Sequence, residues 1–322
     1  MDIALTLLLF VVGIVIIIKG GDFFVDAASW IAEVSGIPKL IVGATVVSIA
    51  TTLPELLVSL LAAAEGKVDM AIGNAVGSVT VNIGLIMAIS LICMPGLIKR
   101  KDYILKSVLM VAAAAVVVFS GIIGEVRLPI AIVMLIIFGI FIWENIAGAK
   151  KAMLDTTDTE KEDKRSRPDK KEITVNVVKF IVGAVGIVLG ARLLVDNGSE
   201  LARFIGISER IIGVTVIAVG TSLPELITTV TAIAKKQSSL SVGNILGANI
   251  IDLTLILPLS SVVSGKALPI SHLSGIIDLP ACIIVALIAI MPMLIKSKFY
   301  RWQGIALIIV YAAYITLTCT VS

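Results

Sequence analysis

One short polar motif occurs twice in this sequence, each time inside a long apolar run. The first copy is VSIATTLPELLVSL at residues 47–60, and the second is IAVGTSLPELITTV at residues 217–230. Each copy places a glutamate directly after a proline, as Pro54–Glu55 and Pro224–Glu225. Proline removes a helical hydrogen bond, and a carboxylate is expensive to bury in an apolar environment. Repetition of so unfavourable a pair indicates a duplicated fold in which both carboxylates are functional.

The composition around these motifs is that of a membrane protein. Of the 322 residues, 58% are hydrophobic and 15% are charged, whereas a soluble domain carries about 25% charged residues. Residues 71–98, 107–124 and 279–295 contain no charge, and each stretch reaches the roughly 17–25 residues that a bilayer-spanning helix requires. The sequence predicts an all-α polytopic membrane protein whose surroundings are a lipid bilayer, with no nucleic-acid partner.

Ten transmembrane helices are predicted from the apolar runs. Residues 3–18 lack a preceding basic region and a small-residue cleavage site, so we interpret them as part of the first span rather than as a signal peptide. The predicted spans are 3–25, 37–64, 68–94, 102–122, 126–148, 173–197, 207–234, 239–263, 273–295 and 301–320.

A single polar segment, residues 150–172, separates the spans into two groups of five. It reads KKAMLDTTDTEKEDKRSRPDKKE and mixes both signs of charge with few apolar side chains, which predicts a solvated and largely disordered linker. We therefore predict a first five-helix repeat at residues 1–149, a charged linker at 150–172 and a second five-helix repeat at 173–322.

The two halves match when the sequence is shifted by 170 residues. Shared Leu and Val would follow from composition alone, but the match includes polar residues and helix breakers in one register. The matched pairs are Gly43 and Gly213, Thr45 and Thr215, Thr51 and Thr221, Pro54 and Pro224, Glu55 and Glu225, Gly73 and Gly243, and Asn82 and Asp252. Because each half has an odd number of spans, the two repeats are expected to be inverted in the membrane. Inverted repeats with broken spans are typical of secondary transporters.

The positions of lysine and arginine predict the orientation. With the N-terminus outside, eighteen basic residues fall on the cytoplasmic side and six on the opposite side. Because basic residues collect in cytoplasmic loops, we predict a multi-pass protein of the cell membrane with both termini outside and the linker in the cytoplasm.

Three carboxylates, Glu55, Glu225 and Asp252, lie deep within predicted spans that contain no lysine or arginine at comparable depth. A charge at mid-bilayer costs at least about 2.5 kcal/mol, so these groups must be protonated or bound to cations. The neighbouring residues favour cations. Pro54 and Pro224 free backbone carbonyls at membrane depth, which is tolerated where they line a cavity.

Hydroxyl and amide groups surround these carboxylates. Thr51 and Thr52 precede one proline, and Thr221 and Ser222 precede the other. In the next span of each half, Asn74, Ser78 and Asn82 share one helical face, matched by Asn244, Ala248 and Asp252. Carboxylate, hydroxyl, amide and carbonyl oxygens are the hard ligands that suit Ca²⁺ and Na⁺. We interpret Asn74, Asn244 and Asn249 as interhelical hydrogen-bonding residues. The glycine pairs Gly73-x-x-x-Gly77 and Gly243-x-x-x-Gly247 serve either close helix packing or ligand access.

The motifs G-x-T…[GA]-T-[ST]-L-P-E and G-N-x-x-G-[SA]-x-x-x-[ND] resemble those of the cation/Ca²⁺ exchanger superfamily, and most closely the prokaryotic Na⁺/Ca²⁺ exchangers. The resemblance covers essentially the whole chain. It implies an ion site with carbonyl ligands near Ser48 and Ala218, and with side-chain ligands at Glu55, Glu225, Asp252, Asn82, Thr51, Thr52, Thr221, Ser222 and Ser78. One departure is Ala248, which stands where the superfamily usually has a serine, so one hydroxyl ligand of a sodium site is missing.

The resemblance implies a secondary antiporter that exchanges Ca²⁺ for Na⁺ by alternating access. It implies Ca²⁺ and Na⁺ as transported ions, no cofactor and no obligate protein partner. A Ca²⁺/H⁺ antiporter and a K⁺-dependent Na⁺/Ca²⁺ exchanger on the same fold remain alternatives. An ion channel is a weaker alternative, because a buried charge of −3 would hold divalent ions too tightly for fast flux. The sequence has no Ser/His dyad or zinc motif, so an enzyme is not expected.

Overall fold

A computed structural model describes residues 3–159, 169–206 and 218–321 of the chain. These residues are almost entirely helical. The helices are α1 (Ile3–Ser35), α2 (Lys39–Thr51), α3 (Leu53–Ala64), α4 (Val68–Cys93), α5 (Arg100–Ile123), α6 (Leu128–Thr159), α7 (Lys170–Phe204), α8 (Ala218–Thr221), α9 (Leu223–Ala234), α10 (Ser238–Ser264), α11 (Ser274–Lys296) and α12 (Arg301–Val321).

Four two-residue strands join loops of the two halves. The strands are β1 (Gly96–Leu97), β2 (Glu125–Val126), β3 (Leu268–Pro269) and β4 (Lys298–Phe299). Strand β1 pairs with β4, and β2 pairs with β3, both antiparallel. Each pair therefore connects a loop before residue 150 to a loop after residue 172, and the two halves are fastened at both pairs.

The described residues include eight helices that are long and apolar enough to cross a membrane, or nine if the bent pair α2 and α3 forms one span. The prediction of an all-α polytopic membrane protein is confirmed. Residues 207–217, the first part of the predicted seventh span, lie outside the described residues. Helix α9 from that span is a shorter apolar helix, so the total of ten spans stays a prediction.

The second span is broken, as the proline motif predicts. Helices α2 and α3 are bent by 45° where they meet, and Thr52 lies at the break with φ −84° and ψ −4°. Pro54 occupies the first turn of α3, where a missing N–H is tolerated. Ser222 holds the matching break between α8 and α9, with φ −88° and ψ 7°. Each break places a glutamate, Glu55 or Glu225, in the first turn of the helix that follows.

The first and sixth spans are longer than the sequence predicts. Helix α1 has 33 residues rather than ending at residue 25, and α7 has 35 residues rather than ending at residue 197. Both predicted ends were placed next to an aspartate, Asp26 or Asp196, but the helices continue until Gly36 and Gly206, which have φ of 68° and 84°. At about 1.5 Å per residue, α1 is about 50 Å long and exceeds the ~30 Å hydrocarbon core of a bilayer.

The predicted linker is partly helical. Helix α6 continues to Thr159 and α7 begins at Lys170, so the expectation of irregular structure is wrong for residues 150–159 and 170–172. The segment from Lys150 to Leu154 contains lysine, alanine, methionine and leucine, which are strong helix formers. Residues 160–168 lie outside the described residues.

Glycines bring two pairs of helices into close contact. Along the α1–α7 contact, a Cβ on Gly20 would lie 2.8 Å from the backbone nitrogen of Ile187, and one on Gly190 would lie 2.9 Å from the Gly13 carbonyl oxygen. Between α2 and α10, a Cβ on Gly43 or Gly243 would overlap the carbonyl oxygen of a leucine on the opposite helix. The packing interpretation is therefore confirmed for Gly243 and Gly247. It is not supported for Gly73 and Gly77, since no described atom lies within 4 Å of a Cβ added to either.

Because Gly243 meets backbone rather than a flexible side chain, Gly243→Ala should destabilise the protein by about 1–3 kcal/mol through overpacking. The measurement is thermal unfolding of the purified protein in detergent. Gly139→Ala is the control, since Gly139 is exposed on α6 and no described atom lies within 4 Å of its added Cβ. Equal melting temperatures for the two variants would contradict the close α2–α10 contact.

Candidate functional site

The candidate site lies where two broken spans meet two helices with a local change of winding. Helix α4 widens into a π-helical turn at Asn82–Met87, and α10 does so at Asp252–Ile256. The turn that Asn82 begins packs against α9, and the turn that Asp252 begins packs against α3. Each half therefore places its Asn or Asp next to the glutamate-bearing helix of the other half. Such turns occur frequently at functional sites.

The three predicted carboxylates are buried together. Glu55, Glu225 and Asp252 are each at most 1% exposed, and they are the only carboxylates buried among the described residues. Glu55 interacts electrostatically with Glu225 and Asp252, and Asp252 with Glu225. None of the ion pairs formed by the described residues includes any of the three. The cluster therefore concentrates negative charge without a basic side chain to balance it.

Most oxygens of this cluster have no hydrogen-bond donor among the described residues. Buried polar atoms in proteins are nearly always hydrogen-bonded, so a group of exceptions calls for an explanation such as a bound ion. The unpartnered site oxygens are both carboxylate oxygens of Glu55, both of Asp252, Oε2 of Glu225, Oδ1 of Asn82, and the hydroxyls of Ser78 and Ser222. All of them belong to residues that the sequence predicts as ligands.

The two threonines of the first half make contacts across the halves. The Thr52 hydroxyl lies 3.4 Å from Oε1 of Glu225, and the Thr51 hydroxyl lies 3.3 Å from Oδ1 of Asn244. Thr52 also donates to the carbonyl oxygen of Ser48 through its hydroxyl, at 2.7 Å, and through its backbone N–H, at 2.9 Å. Both lone pairs of the Ser48 carbonyl are therefore engaged, although the sequence resemblance places a carbonyl ligand there.

Thr221 is a predicted ligand that lines an open cavity. It is partly buried and lines a cavity of about 340 Å³ together with Pro54, Gly220 and Pro224. The cavity lies between α3, α7 and the α8–α9 break. A hydroxyl group on the wall of a largely apolar cavity can contact an ion that enters the cavity.

The carboxylates of the site would not hold a metal ion by themselves. Among the described residues, no group of three or more His, Cys, Asp and Glu lies close enough together to hold a metal ion by itself. A cation at this site would therefore need hydroxyl, amide or carbonyl oxygens besides carboxylates. Ca²⁺ is commonly bound by such a mixed set of oxygens.

The asparagines behave as interhelical hydrogen-bonding residues. Asn74 donates to the Glu55 carbonyl oxygen at 3.1 Å and to the Ser59 hydroxyl at 2.9 Å, which fastens α4 to α3 beside the site. Asn249 of α10 reaches the Met110 sulfur of α5 at 4.0 Å. The contact with Ser59 was not predicted, because nothing in the sequence indicates which way Asn74 points.

One buried ion pair was also not predicted from the sequence. Lys106 of α5 is fully buried and pairs with Glu144 of α6. Lys106 is one of the eighteen basic residues on the predicted cytoplasmic side, and it lies in the second turn of α5. One feature of the sequence could have indicated this pair: Lys106 and Glu144 carry opposite charges and lie in successive predicted spans. Charges within membrane helices usually pair.

Long apolar helices, two broken spans and a buried, uncompensated group of carboxylates define a polytopic membrane transporter for cations. Comparison with known proteins specifies the class. The sequence model of the sodium/calcium exchanger protein family matches residues 5–147 and 175–320. The chain belongs to this family of cation/Ca²⁺ exchangers, and it is not an enzyme.

Individual relatives cover almost the whole chain. It is 32% identical over 310 residues to the uncharacterized membrane protein MJ0091 of Methanocaldococcus jannaschii, covering 94% of each chain. It is 27% identical to the sodium/calcium exchanger MaX1 of Methanosarcina acetivorans, over 98% of this chain and 99% of that protein. A structure of the sodium-calcium exchanger NCX_Mj, soaked with Na⁺ and Sr²⁺, superposes with a TM-score of 0.80 at 28% identity, over 98% of this chain and 99% of that one.

Proposed function

We propose that this protein exchanges Ca²⁺ for Na⁺ across the cell membrane by alternating access. The ions would bind at the side chains of Glu55, Glu225, Asp252, Asn82, Thr51, Thr52, Thr221, Ser222 and Ser78. The observation that carries the proposal is the group of buried site oxygens without donors. An apolar interior tolerates such a group only when protons or cations satisfy it.

The charge of this group suits both ions in turn. If all three carboxylates are ionised, the site carries −3, which one Ca²⁺ or several Na⁺ can balance alternately. Competition for the same oxygens makes binding of one ion exclude the other, as an antiporter requires. The named functions of MaX1 and NCX_Mj, both sodium/calcium exchangers, support this choice of ions.

Alternating access needs two halves that can exchange roles. We propose that residues 1–149 and 173–322 are inverted five-helix repeats, joined by a cytoplasmic segment at 150–172, with both termini outside. The π-helical turns that begin at Asn82 and Asp252 support this, because these residues match in the shifted alignment. The strand pairs β1–β4 and β2–β3 support it too, since exchanging the halves converts one pair into the other.

The deciding experiment is ⁴⁵Ca²⁺ uptake into proteoliposomes that contain the purified protein. An outward Na⁺ gradient should drive uptake, and an outward H⁺ gradient alone should not. Repeating the Na⁺-driven uptake with and without K⁺ separates a K⁺-dependent exchanger. Uptake driven only by protons would overturn the Na⁺ assignment and leave a Ca²⁺/H⁺ antiporter on the same site.

A further inference from the structure

Helices α1 and α9 pack directly against each other on one side of the molecule. A Cβ on Gly21 of α1 would lie 2.8 Å from Cγ2 of Ile227 and 2.9 Å from the hydroxyl oxygen of Thr231, both on α9. No path for an ion remains between two helices in such contact.

An ion pair fastens the same two helices at the end of α9. The Lys235 ammonium lies 2.7 Å from the Asp26 carboxylate and 3.5 Å from the Asp22 carboxylate. It also donates to the Asp22 carbonyl oxygen at 3.0 Å. The side chain of Lys235 is 26% exposed and those of the two aspartates are about half exposed. The ion pair therefore lies at the solvent-accessible edge of the α1–α9 contact.

The matching positions of the other half are open. In the shifted alignment, Ala191 of α7 corresponds to Gly21, while Leu57 and Leu61 of α3 correspond to Ile227 and Thr231. These three residues line the 340 Å³ cavity that Thr221 also lines. Where one half has a helix contact, the other half has space.

The charges at the positions that match this ion pair in the other half are reversed in sign. Glu65 stands at the position that matches Lys235, and Arg192 stands at the position that matches Asp22. Arg192 is exposed at the cavity and forms no ion pair with a described residue, while Glu65 is held by its neighbour Lys67 at 2.6 Å. Lys235 and Asp22 therefore join α9 to α1, whereas Glu65 and Arg192, at the matching positions of the other half, are not paired with each other.

We propose that Glu65 and Arg192 form an ion pair in the alternate state, closing the cavity between α3 and α7 as Lys235 and Asp22 close the contact between α9 and α1. This inference rests on the inverted repeat put forward under the proposed function. In the alternate state Leu57 and Leu61 pack onto Ala191, Glu65 exchanges Lys67 for Arg192, and Lys235 separates from α1.

The two ion pairs are not of equal strength. Asp26 adds a second carboxylate to the Lys235 pair, whereas the matching residue, Asp196, repels Glu65. Exposed ion pairs are individually weak, so this difference changes the populations of the two states only a few-fold. Its direction favours the state described here, with α1 closed on α9.

Cross-linking tests closure of the cavity. In a variant with Cys93, Cys282 and Cys319 replaced by serine, Leu61→Cys and Ala191→Cys place thiols where Thr231 and Gly21 meet in the other half. If the cavity closes as proposed, a disulfide forms under exchanging conditions, because the Cβ atoms then approach to about 4 Å. Absence of the disulfide under every combination of Na⁺ and Ca²⁺ would overturn the proposal.

Charge reversal tests the ion pair in the same cross-linking background. Glu65→Arg and Arg192→Glu should each slow disulfide formation roughly two- to fivefold, as expected for loss of an exposed pair. The double variant E65R/R192E should restore the rate. The control is E125R/R127E, which reverses an exposed pair away from the cavity and should leave the rate unchanged. Single variants that behave as the parent, or a double variant no faster than the singles, would overturn the ion pair.

This readout is a mobility shift of the protein and does not depend on which ion is carried. A proton-driven exchanger would still form the disulfide, so failure of the Na⁺ assignment and failure of the Glu65–Arg192 pair are distinguishable.

Discussion

Glu55→Gln and Glu225→Gln should each abolish measurable Na⁺-driven Ca²⁺ uptake, with a fall on the order of 100-fold or more. Both side chains are buried in the candidate site, and glutamine preserves their size and one oxygen while removing the charge. Breaking a buried ionic interaction by removing one partner costs about 3–5 kcal/mol. The measurement is ⁴⁵Ca²⁺ uptake into proteoliposomes at matched protein content.

Glu33→Gln is the matched control for this experiment. Glu33 is 64% exposed and pairs with Lys39, so its replacement should leave uptake close to that of the unmodified protein. Melting temperatures of the three variants in detergent separate loss of transport from loss of folding. Full activity in both Glu55→Gln and Glu225→Gln would remove the central evidence for the site.

The residues of the candidate site could be predicted because their chemistry is anomalous in an apolar chain. Glu55, Glu225 and Asp252 are recognisable in the sequence as charges without basic partners, and all three are buried in the structure. The break between α2 and α3 was also predictable, since proline excludes a continuous helical hydrogen-bond pattern. Local rules of this kind need no knowledge of the tertiary fold.

The helix ends were predicted less well than the site. They were placed by hydropathy, whereas the capping residues determine where α1 and α7 end. Helices α1 and α7 continue past Asp26 and Asp196 to a glycine with positive φ. A glycine at the C-terminus of a helix is a recognised stop signal, so Gly36 and Gly206 could have marked both ends. The aspartates themselves are tolerated because they lie towards the ends of helices longer than the bilayer is thick.

Partner choice across the two halves could not be predicted from the sequence. The hydroxyls of Thr51 and Thr52 lie close to Asn244 and Glu225 of the opposite half, and these contacts depend on how α2 crosses α10 and α9. The two hydrogen bonds from Thr52 to the Ser48 carbonyl are local, because they join residues four apart in the chain. A motif therefore identifies which residues belong to a site before it identifies what each one touches.

Replacing Asp252 by asparagine should have two effects of opposite sign. In the ion-free protein, Asp252 is a buried carboxylate without donors, close to two other carboxylates. Removing its charge relieves repulsion and desolvation, so the ion-free variant should gain about 1–3 kcal/mol of stability. Removing a ligand charge should weaken Ca²⁺ binding by about a thousandfold or more, because two unit charges 4 Å apart interact by about 4 kcal/mol at an effective dielectric constant of 20.

Thermal unfolding in detergent measures both effects of Asp252→Asn. A ligand that binds only the folded state raises stability by RT ln(1 + [L]/Kd), so weaker binding reduces the Ca²⁺-induced rise in melting temperature. The variant should therefore melt higher than the parent in chelator and gain less from Ca²⁺. Asn82→Asp is the reciprocal variant, because Asn82 matches Asp252 in the shifted alignment and also begins a π-helical turn.

Asn82→Asp adds a fourth buried carboxylate and should lower the melting temperature in chelator. The Ca²⁺-induced rise should then be larger than in the parent, because an added anionic ligand strengthens cation binding at the same oxygens. A structural role for Asp252 predicts a different pattern, in which Asp252→Asn melts lower in chelator and Ca²⁺ raises both proteins equally. That pattern would exclude Asp252 from the ion site while leaving Glu55 and Glu225 in it. The opposite responses of the two variants therefore test whether the electrostatic balance of the site, rather than its packing, determines ion binding.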